Sequence, residues 1–257
     1  MNYVYFEWIK LRSRRWIWAL AAVYIIGLPI AIKMITGVSY LKKEIAEGQF
    51  MEYAAFGFIN FSCLHLVIPL WIILLIGIEF GNGHVNQVVF NASSKHYFIS
   101  KLVYCFLIAL TFSVLGTITM GLVHVTAPFD ITVPVSFYGV FIFQSLFTFL
   151  SVALLFMSII FLTRNIAVAL VTYFLLSFTE GMVFMFVKKI YSIDLFFLPF
   201  HVVNVLYVKG GSTATANYYN LFQDFDSRVL WLPVSIILLV WLTYIDFTKR
   251  ELKPLSD

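Results

Sequence analysis

Six apolar stretches, each about as long as a bilayer is thick, leave this chain one kind of fold. A transmembrane helix needs roughly 20 predominantly apolar residues, and the sequence supplies such runs at about 16–36, 57–78, 102–125, 136–162, 166–187 and 229–247. The composition agrees: 61% of residues are hydrophobic, 12% are charged and the mean hydropathy is +0.93. A soluble globular domain carries about twice that share of charge. The polar segments between the runs are too short to fold separately, so residues 1–257 read as a single all-α, polytopic transmembrane domain.

Charge orients it. Six spans put both termini on one side, and the segments facing that side carry Lys10, Arg12, Arg14, Arg15, Lys95, Lys101, Arg164, Lys249, Arg250 and Lys253, most of the 17 basic residues. Excess Lys and Arg marks the cytoplasmic face, which makes this a multi-pass protein of the cell membrane with both termini inside. At the N-terminus, Met1, Val4, Tyr5, Trp8 and Leu11 recur at helical spacing, with Glu7, Lys10 and Arg14 away from them. Residues 1–15 are therefore expected to form an interfacial helix with Lys10, Arg12, Arg14 and Arg15 against inner-leaflet headgroups. With no small-residue cleavage site after the first span, it reads as a retained anchor.

On the outer side, residues 37–56 are mixed in charge, and 126–135 form a short loop broken by Pro128 and Pro134. The stretch LFFLPFHVVNVLYV, residues 195–208, is apolar but interrupted by Pro199. It is too short to span the bilayer and too apolar for water. A re-entrant extracellular segment between the fifth and sixth spans is the economical reading.

No catalytic, cofactor or metal motif is present. The sequence has no HExxH or GxSxG, and its five histidines are scattered. Cys63 and Cys105 both fall inside spans, where a free thiol behaves as a small buried hydrophobe. No glycine is followed by lysine, which excludes a GxxxxGK[ST] phosphate loop, so any ATP used with this chain is bound by another. Glu180 is the clearest intramembrane charge. Its bland role is structural, near Lys188 and Lys189; its functional role would be in an ion-coupled secondary transporter, for which His65 is the one companion at similar depth.

The polar stretch EFGNGHVNQVVFNASSKHYFISK, residues 79–101, joins the second and third spans on the inner side. Val85, Val88, Val89 and Ala92 share a face at i, i+3, i+4 and i+7, so residues 84–92 can form a short helix with Asn86, Gln87 and Asn91 opposite. Ser93 or Ser94 can cap the next helix. With few basic residues to hold anionic lipid, docking to a soluble partner outweighs resting on headgroups.

The order of these parts resembles the permease subunits of ABC transporters of the type-2, exporter-like class. The resemblance rests on the N-terminal Glu7 and Lys10, six spans, the late re-entrant segment, and Glu79, Gly83, Ser94, Lys95, Phe98 and Lys101, which resemble an E-x-x-x-G…S-R-x-x-F/Y-x-x-x-K pattern. Lys95 stands where arginine is common, and no proline precedes Ser93.

The resemblance implies that residues 84–92 are a coupling helix seated on a separate ATPase subunit. The coupling residues would be Glu79, Gly83, His84, Val85, Val88, Val89 and Lys95, with Glu79 pairing with Lys95, Lys101 or, preferentially, a basic group of the ATPase. ATP and Mg would lie on that subunit and no cofactor in this chain. A second permease chain, identical or related, would complete the pathway. The aromatic, weakly charged spans suit export of a hydrophobic or amphipathic substrate, such as a peptide antibiotic or bacteriocin, a drug or a lipid; nucleic acid is not an expected partner. An intramembrane enzyme would need convergent catalytic groups that the sequence lacks.

The topology is directly testable. In a chain lacking Cys63 and Cys105, a cysteine at Asn165 should be labelled only from the cytoplasm and one at Ser212 only from outside. The reverse pattern would reject the orientation.

Overall fold

The computed structural model describes residues 12, 19, 22, 26, 27, 30, 67–81, 93–125, 135–191 and 231–251. Five helices carry the description: α1 (Ile68–Gly81), α2 (Ser94–Val125), α3 (Val135–Thr163), α4 (Ile166–Tyr191) and α5 (Trp231–Glu251), with no strand among the described residues. The second to sixth apolar runs therefore coincide with helices, each with shifted ends. Helix α2 begins at Ser94, ahead of the apolar run at 102–125, and runs for 32 residues, about 48 Å at 1.5 Å per residue. Within α2 and α3, Ser94–Thr119 and Phe141–Thr163 are long and apolar enough to cross a bilayer.

The expected interfacial helix and first span lie outside the described residues except at six positions, all helical; of these, Arg12 is exposed. The expected coupling helix at 84–92 and the re-entrant segment at 195–208 also lie outside them.

Helix α3 is the centre of the bundle and packs against each of α1, α2, α4 and α5. Phe149, Val152, Ala153, Phe156, Met157, Ile160 and Phe161 are buried along it. Helix α1 is apolar on every face except at Glu79 near its end, with Ile68, Trp71, Ile72, Ile73, Leu75 and Ile76 in the core and Leu74 and Ile78 exposed. Trp71 meets Phe112 of α2 edge to face, with ring centroids 5.4 Å apart.

The close pairing of α2 and α3 uses small residues, which let membrane helices approach. Ser113, Ser145, Thr148 and Ser151 are buried on these helices. A hydroxyl in an apolar interior must find an acceptor, and these turn back on their own helices: Ser113 donates to the Ala109 carbonyl at 2.8 Å and Ser151 to that of Phe147 at 2.8 Å. Cys105 is a buried free thiol, with its sulfur 3.8 Å from the Ala153 carbonyl oxygen.

The turn between α3 and α4 is two residues long. Arg164 takes a left-handed conformation, with φ of 50°, and its amide donates to the Ile160 carbonyl at 2.8 Å, the usual way of closing a helix C-terminus. Asn165 then opens α4 as its N-cap: its Oδ1 accepts from the amides of Ala167 at 2.8 Å and Val168 at 3.3 Å. Helix α1 presses against this corner through Gly77. A methyl group built on Gly77 would lie 2.5 Å from Ile166 Cγ1 and 3.3 Å from Ile160 Cδ1.

That approach predicts opposite outcomes for two glycines. Alanine in a helix is favoured over glycine by about 1 kcal/mol, so Gly139→Ala, with nothing within 4 Å of the new methyl group, should raise the unfolding temperature in detergent. Gly77→Ala should lower it, because overpacking costs about 1–3 kcal/mol. A rise for both would show that α1 does not approach the corner this closely.

Candidate functional site at the Glu79 end of the bundle

The polar stretch that follows α1 begins at Glu79, two residues from the end of the helix, and the described chain resumes at Ser93. Ser93, with a φ of 70°, stands immediately before α2. Its carbonyl accepts from the Tyr97 amide at 3.2 Å, and its hydroxyl is hydrogen-bonded to His96 Nδ1 at 2.8 Å. Of the two serines expected to cap this helix, Ser93 stands at the cap position, with its hydroxyl engaged by the His96 ring.

The first turns of α2 bring Tyr97 and Lys101 to Glu79. Lys101 Nζ lies 2.9 Å from Glu79 Oε2 and 3.0 Å from Oε1, so the ammonium engages both carboxylate oxygens. Tyr97 Oη donates to Oε2 at 2.9 Å. The lysine is buried, at 1% exposure for the residue, and its ammonium lies 5.2 Å from the Tyr97 ring centroid and 5.5 Å from that of Tyr104. Ring faces attract a cation, so the charge is held by a carboxylate and two π-systems.

An aromatic cluster encloses this ion pair and joins four helices. Phe80 of α1 stands edge-on to Phe161 of α3 at 5.2 Å, and Phe161 to Phe247 of α5 at 4.9 Å. Phe98 of α2 contacts both Phe161, at 5.1 Å, and Tyr244 of α5, at 5.4 Å. Edge-to-face pairs of this kind add about 0.5–1.5 kcal/mol each beyond their buried area. On the outer edge of the cluster, the Arg164 guanidinium lies over the Phe247 ring at 5.5 Å.

The residues expected to matter thus fall in three groups. Glu79 is drawn into the bundle: of its two candidate partners within the chain, Lys101 is paired with it. The reason is burial, because an ammonium as enclosed as that of Lys101 requires a counter-charge. Lys95 lies on the exposed side of the first turn of α2. Gly83, His84, Val85, Val88, Val89, Lys10, Arg14 and Arg15 lie outside the described residues. Glu180 sits within α4, but the description does not extend to its side chain. Tyr97, Tyr104, Phe80, Phe161, Tyr244 and Phe247 were not anticipated. The available signal was the recurrence of aromatic residues at span ends, which is equally the pattern of residues facing headgroups.

A helical bundle with apolar helices of membrane-crossing length and a charged, aromatic-lined end defines a multi-span membrane protein. The model of a protein family described as "ABC-2 family transporter protein" matches residues 3–180. The chain belongs to that family, and is thus a membrane component of an ABC transporter and not itself a catalytic subunit; permeases of this family work with ATPase subunits. No curated protein and no solved structure matches it.

The ion pair predicts an asymmetry between single and double variants. Removing one partner of a buried pair strands the other and costs about 3–5 kcal/mol, whereas replacing both by uncharged groups costs far less. Lys101→Met alone should therefore lower the unfolding temperature markedly, and Glu79→Gln combined with Lys101→Met should recover at least half of the loss. A Lys101→Met chain as stable as the native one would refute the buried pair.

Proposed function

We propose that this chain is the permease subunit of an ATP-driven exporter. It has six spans and both termini in the cytoplasm, and the Glu79 end of the bundle faces the cytoplasmic ATPase. The family match over residues 3–180 carries the reading. The geometry supports it: the polar segment between α1 and α2 leaves the bundle where four helices are tied together, the place from which a push on that segment can be passed on.

In this reading, residues 84–92 form the coupling helix. Val85, Val88 and Val89 seat on the ATPase, and Gly83, His84 and Lys95 flank the contact. ATP and Mg bind the partner subunit, and two permease chains, alike or related, frame the pathway. Closure of the ATPase pair tilts the permeases as near-rigid bodies. The substrate is hydrophobic or amphipathic, of the class of peptide antibiotics, drugs or lipids, in keeping with a chain that has 28 Phe and 14 Tyr but few charges. The family match favours this reading over a secondary transporter built on Glu180, for which no observation speaks.

The test is association. Val88→Asp and Val89→Asp would bury an unpaired charge in a small contact where a few anchors hold most of the binding energy. Each should reduce recovery of the co-expressed ATPase subunit in a pull-down by about tenfold or more, the equivalent of roughly 1.4 kcal/mol. Equal recovery by native and variant chains would remove residues 84–92 from the interface.

A further inference from the structure

We propose that Tyr97 and Lys101 are positioning residues for coupling, and that they act through Glu79 to hold the end of α1 at a fixed distance from the start of α2. The inference rests on the permease reading and adds to it the device that passes the push into the bundle. A segment joined to the bundle at Gly81 and at Ser93 can transmit force in two ways. It can spread its two ends apart, which dissipates the motion locally, or it can carry both helices together.

The geometry at the Glu79 end favours the second. Lys101 engages both carboxylate oxygens and Tyr97 donates to one of them, so α1 is tied to α2 by two side chains one helical turn apart on α2. Bonds to an ionised group are shorter and stronger than neutral ones. The tie is backed by rings from the other helices: Tyr97 lies 5.9 Å from Phe161 of α3 and 6.0 Å from Phe247 of α5. The tyrosine thus joins two functions in one residue, with its hydroxyl orienting the carboxylate and its ring touching the helices that must move with it. Such a packed cluster moves between discrete arrangements as a unit and does not deform gradually.

Two spin labels read the tie directly. Gly81 and Lys95 are both exposed at the facing helix ends, and a side chain at Gly81 meets only ordinary contact, with Ile166 Cδ1 4.0 Å away. In the full chain in nanodiscs, labels at these positions should give a narrow distance distribution. Tyr97→Phe keeps the ring and removes only the hydroxyl; it should broaden the distribution about twofold by raising local opening. Lys101→Met should broaden it further where that variant folds. Exchange of the charges, Glu79→Lys with Lys101→Glu, should narrow it again relative to either single change.

The second measurement uses the complex with the co-expressed ATPase subunit. Tyr97→Phe should bind that subunit as the native chain does, yet lower permease-dependent stimulation of ATP hydrolysis by about threefold to tenfold, the scale of the net contribution of one ordinary hydrogen bond. A role confined to folding would instead reduce folded yield and ATPase recovery in parallel and leave the label distribution of the folded fraction unchanged. That result, or native stimulation with a broadened distribution, would overturn the proposal. Failure of the native chain to bind any ATPase subunit would overturn the permease reading itself and the coupling role with it. The nanodisc distances would still decide whether the tie exists.

Discussion

A lysine ammonium with almost no exposure must find its whole solvation shell inside the protein, and this requirement organises one end of the bundle. Lys101 meets it with both oxygens of Glu79 and with the ring faces of Tyr97 and Tyr104. The carboxylate, in turn, takes its third bond from Tyr97. Each group is stable there only because the others are present, since any one charge left alone would carry a large desolvation cost. The aromatic rings around the pair exclude water and so strengthen it, while the pair fixes the register of α1 against α2 on which those ring contacts depend.

The same end of α1 is pinned from a second side. Gly77 brings the helix backbone against Ile160 and Ile166 at the α3–α4 corner, and Glu79 ties it to α2. The two constraints lie less than one helical turn apart and point to different neighbours, so neither sliding nor rotation of α1 can relieve one without straining the other. Farther along the helices, adhesion is of another kind: shape-matched packing of small and aromatic side chains, with hydroxyls such as those of Ser113 and Ser151 satisfied on their own helices. The bundle is thus directionally specified at its Glu79 end and packed mainly by shape along the rest of its length.

This division explains what was legible in the sequence. Length and hydropathy are enough to locate helices, because a chain in lipid must satisfy its backbone internally, and five of the six apolar runs coincide with described helices. The turn at Arg164 and Asn165 follows from the same run lengths, which leave only residues 163–165 between the runs at 136–162 and 166–187. Helix ends were harder. The helix α2 starts ahead of its apolar run because Lys101, a charge inside the helix, is neutralised from the side by Glu79. Spacing alone left three partners for Glu79, since 22 residues separate it from Lys101 and no period relates positions on different helices. The aromatic cluster was illegible for the same reason. Phe80, Tyr97, Phe161 and Phe247 look like membrane-interface residues one by one, and only their convergence makes them a core.

Arg164 extends the argument to α4. Its left-handed backbone closes α3, its positive charge sits where the C-terminal end of that helix carries partial negative charge, and its guanidinium lies over Phe247. The Phe247 ring, which also touches Phe80, Tyr97, Phe98 and Phe161, therefore has the ion-pair cluster among its neighbours on one hand and the α3–α4 corner on the other. Contacts lead from Glu79 to α2 through Lys101 and Tyr97, and from Tyr97 to Phe161 of α3 and Phe247 of α5. They extend to α4 because Arg164, at the corner that begins that helix, lies over the Phe247 ring. All five described helices are thus joined at one end by contacts that do not yield gradually, while the far ends of α2 and α4 carry exposed apolar side chains such as Val125, Phe186 and Ile190.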